Sequence, residues 1–589
     1  MSTISPASTR RELLKRGGAL GLTSLGGCAC PWPSLPLGDV PALRPGPLAP
    51  PPSQGGSLEL PIVIDAHCHI FNVEDVPASP MLKGPIAHAV TRTFGKKLIA
   101  ALADVVSAIA YFLAPSARGE LQMLKELSAR YVELVRMQSP DAAGAAIANL
   151  LKGQIEQFSR AFAIAARDPR FAVPYLHQLQ AYHSQRAKGA AQAAPGIERE
   201  LSEDRIRRIL TEQHGFQPMA FDPSDPFNLV RFAFTLTSPR CLNLAAMQRA
   251  YSGGRGIPAV GVFCPSLLDL DHWLGCADTA TVQDDQVRLL EQIALMSCGT
   301  TMPFVGFNPR SDLVRDGASF DRVVDAISNR GFIGVKLYPP MGYLAYGNGC
   351  QDRHSACPTM KDAREIDARL FRLYEWCSDH NVPIMSHTSH SFGSTDAHDD
   401  CASPVGWQRA LERFPGLRVQ AGHFGGDSVD ALANGWAAEY VRMMGMPNGH
   451  RLYADLSNLG DLFVDGSRVR EVIQPLFTTK LSEASAEIGA DRLVYGSDWY
   501  MTQLAGDAGA CVEKMSTYLE WIERKFEIPK LRDRVFGLNA ERLYGLAADP
   551  GNGRATNRVR LKRYYADKGI TPAWMDWPGA RHGSGDSGA

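Results

Sequence analysis

Eight short apolar runs, rich in β-branched residues and separated by stretches with helical spacing, constrain this chain more than any other feature. They are 60–70 (LPIVIDAHCHI), 257–265 (IPAVGVFCP), 302–309 (MPFVGFNP), 332–340 (FIGVKLYPP), 382–387 (VPIMSH), 417–423 (LRVQAGH), 451–457 (RLYADLS) and 492–498 (RLVYGSD). Such runs, bounded by turn-forming residues, read as buried strands. Between them, 362–378 repeats Leu370, Leu373, Tyr374 and Cys377 at helical spacing, and 409–414 is a second helical stretch. Alternating strands and helices build a parallel sheet, and eight such strands predict a closed barrel. An open doubly wound sheet is the competing architecture. No Gly-x-Gly-x-x-Gly follows a strand, and the chemistry-bearing residues end several different strands, which favours closure.

The expected fold is therefore α/β, a (β/α)8 TIM barrel over residues 60–545. Roughly 190 residues separate the first two strands, far more than one strand-to-helix connection needs. The Ala- and Leu-rich stretches 97–114, 120–137, 142–166 and 198–213 predict a large, mainly helical insertion after strand 1, at about 85–235. That position puts it at the barrel mouth, as a lid or partner surface. The stretch 97–114 reads as a buried helix, since Asp104 and Ser107 interrupt an apolar run of marginal spanning length. The Gly- and Arg-rich tail, 546–589, is expected to drape over the surface or fray.

Residues 1–28 read as an address, with Arg10 and Arg11 preceding a Gly/Ala/Leu stretch too short to span a membrane. They resemble a twin-arginine export signal, and Leu25-Gly26-Gly27-Cys28 is similar to a bacterial lipobox. Export to the periplasm is expected, as a lipoprotein anchored at Cys28 or as a cleaved soluble chain. Residues 29–59 form a Pro-rich tether, with nine prolines between Pro31 and Pro52. The 61 Lys plus Arg balance 62 Asp plus Glu, so no bulk field exists to hold nucleic acid, and the only expected membrane contact is the N-terminal lipid. Twelve cysteines are too few for a disulfide scaffold; Cys350 and Cys357 are spaced to bridge a loop.

His67 and His69 lie two apart at the end of the first run, so both point to one face. Cys68 between them points to the other, where a buried thiol is expected. His387, His423 and Asp498 close three further runs. Barrel chemistry is built at the C-terminal ends of strands, where residues remote in sequence converge. Imidazole and carboxylate together suit a divalent cation such as zinc.

As an ordered set, His-x-His, His, His and Asp on successive strands resembles the metal-dependent amidohydrolase superfamily, in particular the amidohydrolase-related (amidohydrolase 2) branch of hydrolases and nonoxidative decarboxylases. The segment Asn539-Ala540-Glu541-Arg542-Leu543-Tyr544 is similar to that branch's closing helix. The resemblance implies that His67, His69, His387 and Asp498 bind metal, that Asp498 also relays a proton, and that His423 binds a second metal or polarises a carbonyl. It implies one zinc ion, or two if Lys336 is carboxylated and bridging. Otherwise Lys336 is a cation for a substrate carboxylate or a packed, paired lysine. Arg310 and Tyr338 are further candidates for substrate contact, Asp271 and His272 for the mouth, and His390 for a loop contact, with His398 facing solvent.

The expected activity is hydrolysis of a small-molecule amide, ester or lactone-like bond by metal-activated water. Decarboxylation on the same site is the alternative reaction. An exported scaffold that has lost turnover is the alternative of another class, though it needs no such ligand set.

Overall fold

The structure is a computed structural model that describes residues 63–76, 114–137, 142, 146, 235–253, 258–272, 281–349, 360–389, 400–426, 436–457, 474–483, 486–499, 511–547 and 556–576. The export signal, the tether, the stretches 97–113 and 198–213, all of 142–166 except Ala142 and Ala146, and Cys350, Cys357, His390 and His398 lie outside them.

Each of the eight apolar runs contains a strand: β1 (Val63–Cys68), β2 (Val260–Pro265), β3 (Phe304–Gly306), β4 (Gly334–Leu337), β5 (Pro383–His387), β6 (Arg418–Gly422), β7 (Leu452–Asp455) and β8 (Leu493–Val494). All pairings between these strands are parallel. β1 pairs with β2, and β3 to β8 form a six-stranded sheet in chain order. Single parallel bridges join Phe263 to Thr301, Ser266 to Phe304, and Cys68 to Trp499 just beyond β8. Beside the last of these, Ala66 N–H donates to Tyr495 O at 2.9 Å and His69 N–H to Trp499 O at 2.7 Å.

The helices are α1 (Ala117–Met137), α2 (Arg240–Ala250), α3 (Gln283–Met296), α4 (Pro309–Val314), α5 (Ala318–Asn329), α6 (Met360–Asp379), α7 (Pro404–Arg413), α8 (Ala437–Met444), α9 (Cys511–Phe526), α10 (Asn539–Tyr544) and α11 (Asn557–Asp567). Their sequences explain where they start and which face they bury. Asn308 caps α4, its side-chain oxygen accepting from Arg310 and Ser311 N–H, and Pro309 supplies a pre-set φ at the first position. α6 buries Ile366, Leu370, Leu373, Tyr374 and Cys377, a stripe at three- and four-residue spacing. α1 and α2 lie between β1 and β2 in the chain and are clamped to the turn after β1 by one buried cation. Arg240 donates to Asp75 through Nε at 2.8 Å and Nη2 at 2.5 Å, and to Glu120 through Nη1 at 3.2 Å.

Two apolar clusters form the core. The larger packs the strands against the helices. The smaller gathers Ile64, Ala66, Val262, Cys264, Phe304, Met385, Tyr453 and Val494, from six strands, onto Leu543, Tyr544, Leu561, Tyr565 and Trp574. Here the expectation for the tail is corrected. Residues 557–567 do not fray; they form α11, capped by Thr556, and bury Leu561 and Tyr565 against the strands. Ordering residues 556–576 is favourable because the rings of Tyr564, Tyr565 and Trp574 leave water together.

Candidate metal centre

β1 is irregular. Its register against β2 shifts between Val63 and Ile64 and again between Asp65 and Cys68. Ile64 and Ala66 join the smaller apolar cluster, while the next residue, His67, reaches Lys336 on β4 and Asp455 on β7. Such irregularities re-aim side chains beside functional sites. Asp65 ties this stretch to the residues after β8, accepting from Ser497 N–H at 3.0 Å and Ser497 Oγ–H at 2.6 Å. Burial lifts Asp65 to about 7 against those hydrogen bonds. Two glycines make room for His67. A Cβ at Gly496 would stand 2.7 Å from His67 Cβ, and one at Gly422 would stand 3.1 Å from His67 Cε1 and 2.9 Å from Ser386 O.

His67, His69, His387, His423, Asp498 and Lys336 are all buried. Asp498 N–H donates to His67 O at 2.8 Å, and its Oδ1 lies 3.5 Å from His69 Nε2 and 4.0 Å from His67 Nε2. Asp498 and His423 have φ of 50° and 66°, a left-handed conformation that non-glycine residues adopt at a cost of about 1–2 kcal/mol. His423 directly follows β6, and Asp498 stands four residues beyond β8.

Among the described residues, two groups of donor atoms lie within 4.8 Å of one another: His67, His69 and Asp498, and His67, His423 and Asp455. The structure thus brings together four of the residues singled out in the sequence and adds Asp455. His387 is in neither group. Its ring stacks on Tyr338 at 4.4 Å and meets the His423 ring at 4.6 Å, while its Nε2 lies 3.1 Å from Ser389 Oγ.

Asp455 organises the two central imidazoles. Its carboxylate stands 3.1 and 3.2 Å from His67 Nδ1 and accepts from His423 N–H at 3.0 Å and Ser457 Oγ–H at 2.5 Å. The serine's single proton is committed to Asp455, so Ser457 Oγ accepts from His423 Nδ1 at 3.0 Å. That network assigns the Nδ1–H form to both rings and leaves each Nε2 without a proton, that of His67 facing Lys336 Nζ at 3.0 Å. His69 Nδ1 lies 3.0 Å from Ser266 O, which likewise makes it the donor and frees Nε2. Burial pushes all three down the pKa scale, and neighbouring charges or imidazoles add to the shift: Lys336 for His67, and His67 for the other two, with His423 reaching about 3. Burial pushes Asp455 up, but His67, His423 and Ser457 outweigh it and hold the carboxyl below its ordinary range. Neutral rings beside an ionised Asp455 are what a cation requires of its surroundings.

Lys336 on β4 lies with Nζ 3.0 Å from His67 Nε2 and 3.3 Å from Met385 Sδ. Burial brings it down to about 8, against the pull of Asp455 and Asp498. Arg310, at the start of α4, is half-buried. Asp271 pairs with Arg315 at 2.7 Å, and His272 adopts φ 61°. Cys68 is fully buried in the apolar core, and burial raises its thiol well above the usual range.

The sequence reading passed over Asp455, Ser457 and Ser389. For Asp455 a signal existed: it is an acid at the end of the apolar run 451–457, as His387, His423 and Asp498 end theirs.

The fold and site define an α/β protein with parallel strands, whose strand ends hold a buried cluster of imidazoles and carboxylates. A model of the amidohydrolase family matches residues 262–546. The match runs from β2 to just beyond α10 and includes Lys336, His387, His423, Asp455 and Asp498 but not His67 or His69. The L-fucono-1,5-lactonase of Burkholderia ambifaria is 27% identical over 147 residues, 24% of this chain and 47% of the relative. The chain thus spans about half the length of that curated relative. Among solved structures, a zinc-bound amidohydrolase from Burkholderia multivorans is 17% identical with a TM-score of 0.31, covering 49% of this chain and 84% of its own. A manganese-bound 5-carboxyvanillate decarboxylase from Novosphingobium aromaticivorans is 13% identical with a TM-score of 0.31, covering 48% and 77%.

Proposed function

We propose that this chain is a metal-dependent hydrolase of the amidohydrolase superfamily, built as a closed (β/α)8 barrel, that cleaves an amide, ester or lactone-like bond of a small molecule. The observation that carries the proposal is the approach of His67 Nε2, His69 Nε2 and Asp498 Oδ1. Two unprotonated imidazole nitrogens, that of His67 released from Lys336 Nζ, and a carboxylate oxygen form the mixed donor set that zinc takes. The bridges from β2 to β3 and from Cys68 to Trp499 support closure of the barrel.

When bound, a divalent cation polarises a carbonyl and lowers the pKa of water. Asp498 Oδ1 takes the proton released as water attacks and returns it to the leaving atom. His423, with Nδ1 committed to Ser457, offers Nε2 as a further ligand; polarising a carbonyl by hydrogen bond would require the proton that burial disfavours. His387 completes the donor set by turning its Nε2 from Ser389, and Tyr338 beside it forms an aromatic wall for the substrate.

Metal per chain, measured by elemental mass spectrometry for the natural protein and a His67→Ala/His69→Ala variant, tests the centre. About one equivalent, lost in the variant, supports it; about two implicates His423 and a carboxylated Lys336. No metal under any loading condition refutes the proposal and favours a scaffold. Lys336 favours carrying decarboxylation as a second reaction, because its ammonium has no carboxylate within salt-bridge distance among the described residues and suits a substrate carboxylate. Incorporation of oxygen from labelled water marks hydrolysis, and release of carbon dioxide marks decarboxylation.

Export through the twin-arginine route is part of the same reading. Periplasmic accumulation lost on Arg10→Lys/Arg11→Lys substitution supports it, and the mass of the mature N-terminus reports whether Cys28 is acylated.

A further inference from the structure

Beneath Asp455 lies a second tier of polar side chains that none of the roles above uses. Gln420 on β6 is fully buried. Its Nε2 donates to Asp455 Oδ2 at 2.7 Å and to Ala66 O at 3.2 Å. Its Oε1 accepts from Tyr544 OH at 2.5 Å. Tyr544 belongs to α10, more than 120 residues along the chain, and is also buried.

The orientation of the Gln420 amide is dictated by its partners. Asp455 accepts only, so the amide must turn its NH2 toward it. That turns Oε1 toward the phenol, whose one proton lies between Gln420 Oε1 at 2.5 Å and Ala66 O at 3.0 Å, the shorter contact being the one to Gln420. Burial raises the Tyr544 phenol well above its usual range, so its proton stays in place. The carboxylate held in this way is the one that faces His67 Nδ1. A buried amide in an otherwise apolar tier is costly unless all its groups are satisfied, and here each is matched.

We propose that Gln420 and Tyr544 are positioning residues for the metal centre: together they hold Asp455 against His67, so that the ring presents Nε2 to the ion. This rests on the metal-dependent reading above. Carboxylates behind a metal-binding histidine tune affinity by about 10–100-fold when altered. Gln420 and Tyr544 act one step further back, through Asp455.

The test is a double-mutant cycle on zinc affinity, measured on metal-stripped full-length protein by competition with a chromophoric chelator. Gln420→Met keeps the volume and removes the hydrogen bonds, and is expected to weaken zinc binding about tenfold. Asp455→Asn should weaken it at least as much. The double variant should be no weaker than Asp455→Asn alone, because Gln420 acts only through that carboxylate. A general loss of packing would instead multiply with the Asp455 effect, and that result, or native affinity in Gln420→Met, overturns the proposal. If Gln420→Met does not fold, Tyr544→Phe replaces it in the same cycle, with a smaller expected loss. Zinc binding by the natural protein with no effect of either variant sinks this inference alone; absence of binding by the natural protein sinks the metal-dependent reading as well.

Discussion

His67 and Asp455 are 388 residues apart in the chain, and their side chains meet at 3.1 Å with both residues fully buried. The pair fixes which nitrogen of His67 faces the site, and with it the direction in which a cation is held.

Metal removal should therefore be visible in stability. An ion that binds the folded state alone stabilises it by about 3–4 kcal/mol at a hundred- to thousandfold excess over its dissociation constant. Chelation is expected to lower the melting temperature, and added zinc to restore it. The His67→Ala/His69→Ala variant should melt at one temperature with or without chelator; a variant that still responds would place the ion elsewhere.

Asp498→Asn keeps the shape and an oxygen donor but removes the proton acceptor. Turnover should fall by at least about a hundredfold while metal per chain stays near the natural value. Undiminished turnover at full metal content would remove Asp498 from proton transfer.

Arg240 is enclosed by Asp75 and Glu120, and all three are buried. Arg240→Met strands two carboxylates without their cation, and should cost about 3–5 kcal/mol in urea unfolding. Restoring the balance with Asp75→Asn and Glu120→Gln in the same chain should recover part of that loss. Equal stability of Arg240→Met and the natural protein would show that this clamp is not what docks α1 and α2.

Burial lifts Glu541 on α10 from 4.5 to about 7, against the pull of Arg558, and its Oε1 has no hydrogen-bond partner among the described residues. The folded state holds this proton more tightly than the unfolded chain. Stability from this group is thus lost as pH rises from about 4.5 to about 7 and is level above, by about 3 kcal/mol at most. Glu541→Gln should flatten that part of the stability curve and melt higher than the natural protein at pH 8. A variant that melts lower at pH 8, or keeps the same slope, contradicts the assignment.

The sequence by itself determined the eight strands and the residues that end them. Strand character is a local property, written in runs of apolar and β-branched residues, and the end of a run marks where a side chain can serve chemistry. His67, His69, His423 and Asp498 were legible for that reason, and so was the one helical face of α6. The tertiary structure alone decided what touches what. The register shifts of β1 exist only against β2, some 195 residues away. Asp455 looks no different from any acid until His67 and His423 are set beside it, and Gln420 is one polar residue in an apolar strand until Tyr544 arrives from α10. His387, equally visible in sequence, turned out to face Ser389 and Tyr338. The tail that reads as polar and Gly-rich carries Tyr565 and Trp574 into the core. Hydrogen bonds and burial are set by distance in space, and a chain that crosses between its strands seven times leaves no record of those distances in the order of its residues.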